Sequence, residues 1–180
     1  MIIRYSVIGL ISIGFSTQAF AQSNTEASLE LSGLYNSEVT INDDNSTVTL
    51  DDVYGAQIGV RTEKILSQSD NSDLLLAISL NGAKGQGTVS DFSPSANTIT
   101  GEEADFYRIE GFADIVKQKD GAFVSPFLSA GVGLQYEKVN TDTSKFESLS
   151  PAARFRAGVE KDVSDKLSFG VSAGPSIKLD

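Results

Sequence analysis

Residues 125–139 read SPFLSAGVGLQYEKV. Starting one residue earlier, Val124, Leu128, Ala130, Val132, Leu134 and Tyr136 share one parity, while Ser125, Ser129, Gly131, Gly133, Gln135 and Glu137 share the other. Successive side chains of a strand point to opposite faces, so this segment predicts a strand with one greasy face and one wet face. Two environments satisfy such a strand. Either the greasy face packs on a protein core and the wet face meets water, or the greasy face meets lipid and the wet face turns inward.

The same period of two recurs along the chain. Over 29–41 the apolar parity holds Leu29, Leu31, Tyr35, Val39 and Ile41 against Glu30, Ser32, Asn36 and Glu38. Over 48–62 it holds Val48, Leu50, Tyr54, Ala56, Ile58 and Val60 against Thr49, Asp51, Gln57 and Arg61, with Asp52 breaking the pattern. Segments 74–84, 104–117, 153–160 and 167–179 repeat it, Leu75 being out of step, and no segment carries a helical apolar stripe. Seven strands are predicted, several of them eleven to fifteen residues long, against the usual five or six of soluble sheets.

The connections between these segments alternate in length. SQSDNSD, QKDG and VSD are compact turns, whereas NDDNST, GQGTVSDFSPSANTITGEE and NTDTSKFESLS are long, so long loops fall on one end of the sheet. Tight turns on one side and long loops on the other are the pattern of outer-membrane barrels. The arginines after Arg4, namely Arg61, Arg108, Arg154 and Arg156, all take the polar parity, as do Glu30, Asp51, Glu110, Asp114, Glu137 and Glu160. In a barrel in lipid these side chains face inward, where guanidinium and carboxylate must neutralise one another. Arg61, Arg108, Arg154, Arg156, Glu110, Asp114, Glu137 and Glu160 are therefore the expected interior charge network, structural in role. Tyr107 and Tyr136, near the long-loop ends of their strands on the apolar parity, suit a membrane interface.

Residues 1–21 differ from the rest. Arg4 precedes an uncharged apolar run ending at Phe15, and Ala19-Phe20-Ala21 supplies a small-x-small cleavage pattern, so a secretory leader of 21 residues is expected, with a barrel domain over 22–180. The apolar run is too short to span a bilayer as a helix. Loss of Arg4 moves the net charge from −10 to −11, which disfavours nucleic acid as a partner. With no cysteine and no histidine, the chain lacks disulfides and the usual bases and ligands of serine, cysteine and zinc chemistry. No enzyme, cofactor or metal site is expected. The Asp44-Asn45-Ser46-Thr47 stretch lacks the glycine and distant glutamate of a calcium loop, and GAKGQG at 82–87 lacks the helix and Gly-Lys-Ser/Thr of a phosphate cradle.

The proline-aromatic, G-x-G-x and tyrosine of residues 125–139, with the hairpin FRAGVEKDVSDKLSFGV at 155–171, resemble the bacterial outer-membrane β-barrel superfamily of OmpA-like and Opa-type small surface proteins. The resemblance implies an all-β, up-and-down antiparallel transmembrane barrel of the eight-stranded type, located in the outer membrane. It further implies a plugged interior and a structural or surface-antigen role through extracellular loops. Outer-membrane lipids, the insertion machinery and an extracellular loop partner are the implied partners. The family's last strand usually ends in an aromatic residue, whereas this chain shows about seven strands and ends LSFGVSAGPSIKLD, so an eighth strand is expected to be missing. The alternative is a soluble periplasmic barrel that carries a small apolar ligand on an inward greasy face.

Overall fold

The computed structural model describes residues 10–18, 25–43, 46–93, 100–119, 121, 123–164 and 167–179. They form antiparallel strands only: β1 (Leu10–Gln18), β2 (Thr25–Asp43), β3 (Ser46–Ser69), β4 (Ser72–Ser93), β5 (Glu103–Lys119), β6 (Ser125–Asn140), β7 (Lys145–Ser164), β8 (Leu167–Gly174) and β9 (Ser176–Lys178). The seven strands read from the sequence are β2 to β8, with β9 continuing the line of β8. Pro175 interrupts that line because it has no N–H to give, although its carbonyl still accepts from the Phe155 N–H at 3.0 Å.

From β2 to β8 each strand pairs with the next in an up-and-down, barrel-like sheet. This seven-stranded sheet is open, because β2 and β8 do not pair with each other. Between them lies β1, hydrogen-bonded to both edges. Residues 10–18 thus occupy the seam, where the secretory-leader reading had assigned them to a removed segment. Their uncharged alternation, LISIGFSTQ, suits a strand as well as a leader. The cleavage pattern at Ala19-Phe20-Ala21 and the terminal Asp180 lie outside the described residues.

The strands are longer than the periodicity predicts, and this corrects the reading of the loops. β2 to β4 run for 19, 24 and 22 residues. Most of each expected long loop is strand: the hairpin of β2 and β3 pairs up to Asp43 and Ser46, and that of β6 and β7 up to Asn140 and Lys145. Only the connection between Ser93 and Glu103 is long. The two ends of the sheet do differ, by overhanging strand and by that one connection, and not by three long loops.

The overhang has its own polarity. In β4, Leu74, Leu76, Ile78 and Leu80 face outward over the turn-side half, while Lys84, Gln86 and Thr88 face outward beyond it. The inner face runs Leu75, Ala77, Ser79, Asn81, Ala83, Gly85, Gly87 and Val89, so inside and outside exchange character along one strand of unbroken parity. In β2 and β3 the exchange coincides with a kink. Asp52 takes φ 51°, a left-handed backbone that Asp tolerates better than most side chains, and the register with β4 shifts between Asp51 and Tyr54. Below the kink Tyr54, Ile58 and Val60 are more than half exposed on the outer face; above it Val48 and Leu50 are fully buried. The sequence places all five on one face, and the kink separates them. It also moves Asp51 to the outer side, where Ser90 Oγ donates to it at 3.0 Å, away from the interior charges with which its parity grouped it.

Candidate functional site

The interior is stacked in three levels. At the turn end Leu75, Ala77 and Val116 pack with Ile65 and Phe127. At the far end Leu34, Val39, Ile41, Val48, Leu50, Val53, Val89, Phe106, Val139 and Phe146 form a second apolar cluster. Charged side chains fill the level between. Leu75, out of step in the sequence pattern, is therefore the inward plug of the turn end.

Arg154 on β7 organises the largest group. Its Nε donates to Asp114 Oδ1 at 2.9 Å, its Nη1 to Glu110 Oε1 at 3.3 Å and its Nη2 to Ser79 Oγ at 2.8 Å, while the guanidinium lies 4.0 Å from the centre of the Phe112 ring. Asn81 Nδ2 also donates to Glu110, at 3.2 Å. β5 and β7 are not neighbours, so this contact must cross β6. Gly131 lies opposite both Asp114 and Arg154, and a Cβ there would fall 2.3 Å from Asp114 Oδ1, so only glycine leaves the passage open. Gly59 does the same for Asn81, whose Oδ1 lies 1.8 Å from where its Cβ would be. Arg156 Nη2 lies 3.6 Å from Asp114 Oδ2, the oxygen that Arg154 Nη2 also meets.

A second group centres on Glu137. Arg108, directly opposite it on β5, donates to Oε1 from Nε at 2.9 Å and Nη2 at 2.7 Å, and Gln135 Nε2 donates to the same oxygen at 2.6 Å. Lys178 pairs with the other carboxylate oxygen, and its Nζ also donates to the Thr40 carbonyl at 2.6 Å. Arg108 and Glu137 are each about 99 % removed from solvent, so the Arg108 charge is not tenable without Glu137, which Lys178 also neutralises. In a third group Arg61 Nε donates to Glu63 Oε1 at 2.7 Å and faces Glu30 at 3.8 Å. Glu160 meets no arginine within ion-pair distance among the described residues and accepts from Ser168 Oγ at 2.5 Å.

The eight residues named from parity thus divide. Arg154, Arg156, Glu110 and Asp114 meet, Arg108 and Glu137 meet, and Arg61 and Glu160 find other partners. Sequence reasoning missed Lys178, Glu63 and Gln135 as members. Lys178 was legible, since it shares the parity of Ser168, Ser172 and Ser176; Glu63 follows Arg61 by two residues, on the same face.

On the outside, Tyr35, Tyr54, Tyr107 and Tyr136, every tyrosine after Tyr5, lie on the outer face at the level where the polarity exchanges. Tyr35 and Tyr54 are cross-strand partners with ring centres 5.3 Å apart, and Lys84 lies 5.3 Å above the Tyr107 ring. Below them Ile78, Leu80, Ile109, Leu128, Val132 and Leu134 are exposed apolar side chains. Lys64, Lys117, Lys119 and Lys161 are exposed near the turn end. The sequence matches no family model and no curated protein.

Proposed function

We propose that the chain is a small outer-membrane β-barrel protein, exported on a leader removed after Ala21, with a plugged interior and a structural or surface-antigen role. The observation that carries this reading is the level of four tyrosines at which an apolar outer face over a charged interior becomes a polar outer face over an apolar interior. Interfacial tyrosines and snorkelling lysines are the expected borders of a lipid-facing band. Along β5 the band runs from Tyr107 to Lys117, and ten residues at roughly 3.3 Å each, tilted by about 40°, give about 25 Å, the usual height of such a band. The overhanging half, polar outside and apolar within, then stands in water as a short rigid platform. It carries the connection after Ser93, and an adhesive contact belongs there instead of on three long loops.

The two apolar clusters above and below the charges support a plugged interior without a pore. Outer-membrane lipids contact the band, and the insertion machinery of the outer membrane delivers it. The soluble, ligand-carrying alternative needs the greasy face inward, yet Ile78 and Val132 are 55 % and 62 % exposed on the outer side and the interior at their level holds Arg154 and Asp114. Fractionation with an unboiled gel tests the proposal. The expected result is recovery in the outer-membrane fraction with a heat-dependent change in mobility; recovery in the soluble periplasm with no such change contradicts it.

A further inference from the structure

We propose that the outer face of β5 to β8 holds a binding site for one anionic phospholipid of the periplasmic leaflet, an acyl chain lying in a groove of the sheet and the phosphate resting on Lys117 and Lys119. The proposal deepens the outer-membrane reading and rests on it. The groove has a volume of about 450 Å³, within the usual range of small-ligand sites, and its lining is almost wholly apolar. The register across the sheet builds it. Lys117, Leu128, Ala157 and Ala173 are successive partners on β5, β6, β7 and β8. In the next rank Ala130 stands opposite Phe155, whose N–H donates to the Pro175 carbonyl at 3.0 Å. The three alanines are the floor, and Leu128 and Phe155, 64 % and 53 % exposed, rise beside it. The groove lies on the β7 side of β8, away from the edge that β1 pairs.

Charge selects the occupant. The chain has 24 acidic residues against 14 basic ones, yet the outer parity of β2 to β8 below the tyrosines carries no carboxylate among the described residues. Its charged members are Lys64, Lys117, Lys119 and Lys161, all near the turn end, while Glu30, Glu63, Glu110, Asp114 and Glu160 take the inner parity. Lys117 lines the turn-side end of the groove. Lys119 follows on the same face, about 7 Å further at roughly 3.3 Å per residue, so the two ammonium groups can bracket one phosphate at the border of the hydrocarbon. An acyl chain attached to that phosphate enters the groove from its charged end. A second copy of the chain suits the groove less, because its own band offers only lysines at this depth, and Lys117 repels them.

The test uses the protein recovered from outer membranes in mild detergent, its fold checked by heat-dependent mobility. It is titrated with dimyristoyl phosphatidylglycerol or dimyristoyl phosphatidylethanolamine and read by native mass spectrometry. Phosphatidylglycerol should bind as one tight equivalent, at least about five-fold tighter than phosphatidylethanolamine, the effect of a single lysine beside an anionic headgroup. Lys117→Gln should abolish that preference, whereas Lys64→Gln, at the same border on β3, should keep it. Ala157→Trp, which fills the floor from the outer side, should remove the tight equivalent, whereas Leu80→Trp, outward on β4, should not. No preference in the natural protein, or equal effects within either pair of variants, overturns the site and leaves the membrane reading intact. A dimer in place of bound lipid, abolished by Ala157→Trp, overturns it in favour of a second copy. Recovery of the chain only from the soluble periplasm overturns both the site and the membrane reading.

Discussion

At the scale of single residues, the interior depends on a few positions where one atom matters. Asp114 is wholly buried and is held by Arg154, with Arg156 beside it. Asp114→Ala leaves Arg154 with Glu110 alone and takes from Arg156 the one carboxylate within ion-pair distance among the described residues, and the expected loss is about 3–5 kcal/mol, read as a lower urea midpoint of the detergent-folded protein. An unchanged midpoint would mean that the network does not hold the strands together. Asp52 gives a different test, because its left-handed backbone is costly for a branched side chain and free for glycine. Asp52→Val should cost about 1–2 kcal/mol, while Asp52→Gly should cost little beyond the Tyr35 hydrogen bond at 3.0 Å. Equal effects of the two would show that the kink is not backbone-driven. Parity alone located the arginines on the inner face, and it could have located Lys178. It could not find Gly131 as the passage between Asp114 and Arg154, because that requires knowing which strands flank β6.

At the scale of elements, the strands carry two environments in series. The turn-side half reads as the period of two suggests, apolar outward. The far half of β4 inverts with no change of parity, because Ala83 and Val89 succeed Ser79 and Asn81 on the inner face while Lys84 and Gln86 succeed Ile78 and Leu80 on the outer. Residues rich in Gly, Ser and Thr, such as GQGTVSDFS at 85–93, look like loop when read for composition, yet they pair with β3 up to Ser93 through two register shifts, and with β5 up to Thr88. The inversion predicts opposite tolerance along the outer face. Val132→Lys places a charge in the apolar band and should cost about 2–4 kcal/mol, blocking insertion, whereas Thr88→Lys on the outer face of the overhang should leave insertion unchanged. The measurement is the yield of protein with heat-dependent mobility in outer-membrane fractions, and equal yields for the two variants would contradict the division of the strands.

At the scale of the whole molecule, seven strands make an open sheet with a seam that β1 fills. The seven strands β2 to β8 and the alternation of their faces were legible from the sequence. That residues 10–18, which read as part of a leader, pair in the seam was not, since a leader and a lipid-facing strand share short apolar composition. Apolar clusters at both ends of a charged interior make a plug that should carry no current in planar bilayers. The central claim, that the outer face enters lipid up to the tyrosine level and water above it, has a direct measurement: single cysteines at Ile78, Leu80, Gln86 and Thr88, probed on intact cells with a membrane-impermeant maleimide. All four side chains face outward on one strand, so only their depth differs. Labelling confined to Gln86→Cys and Thr88→Cys is the predicted result. Equal labelling of all four, or of none until the cells are broken, would contradict it.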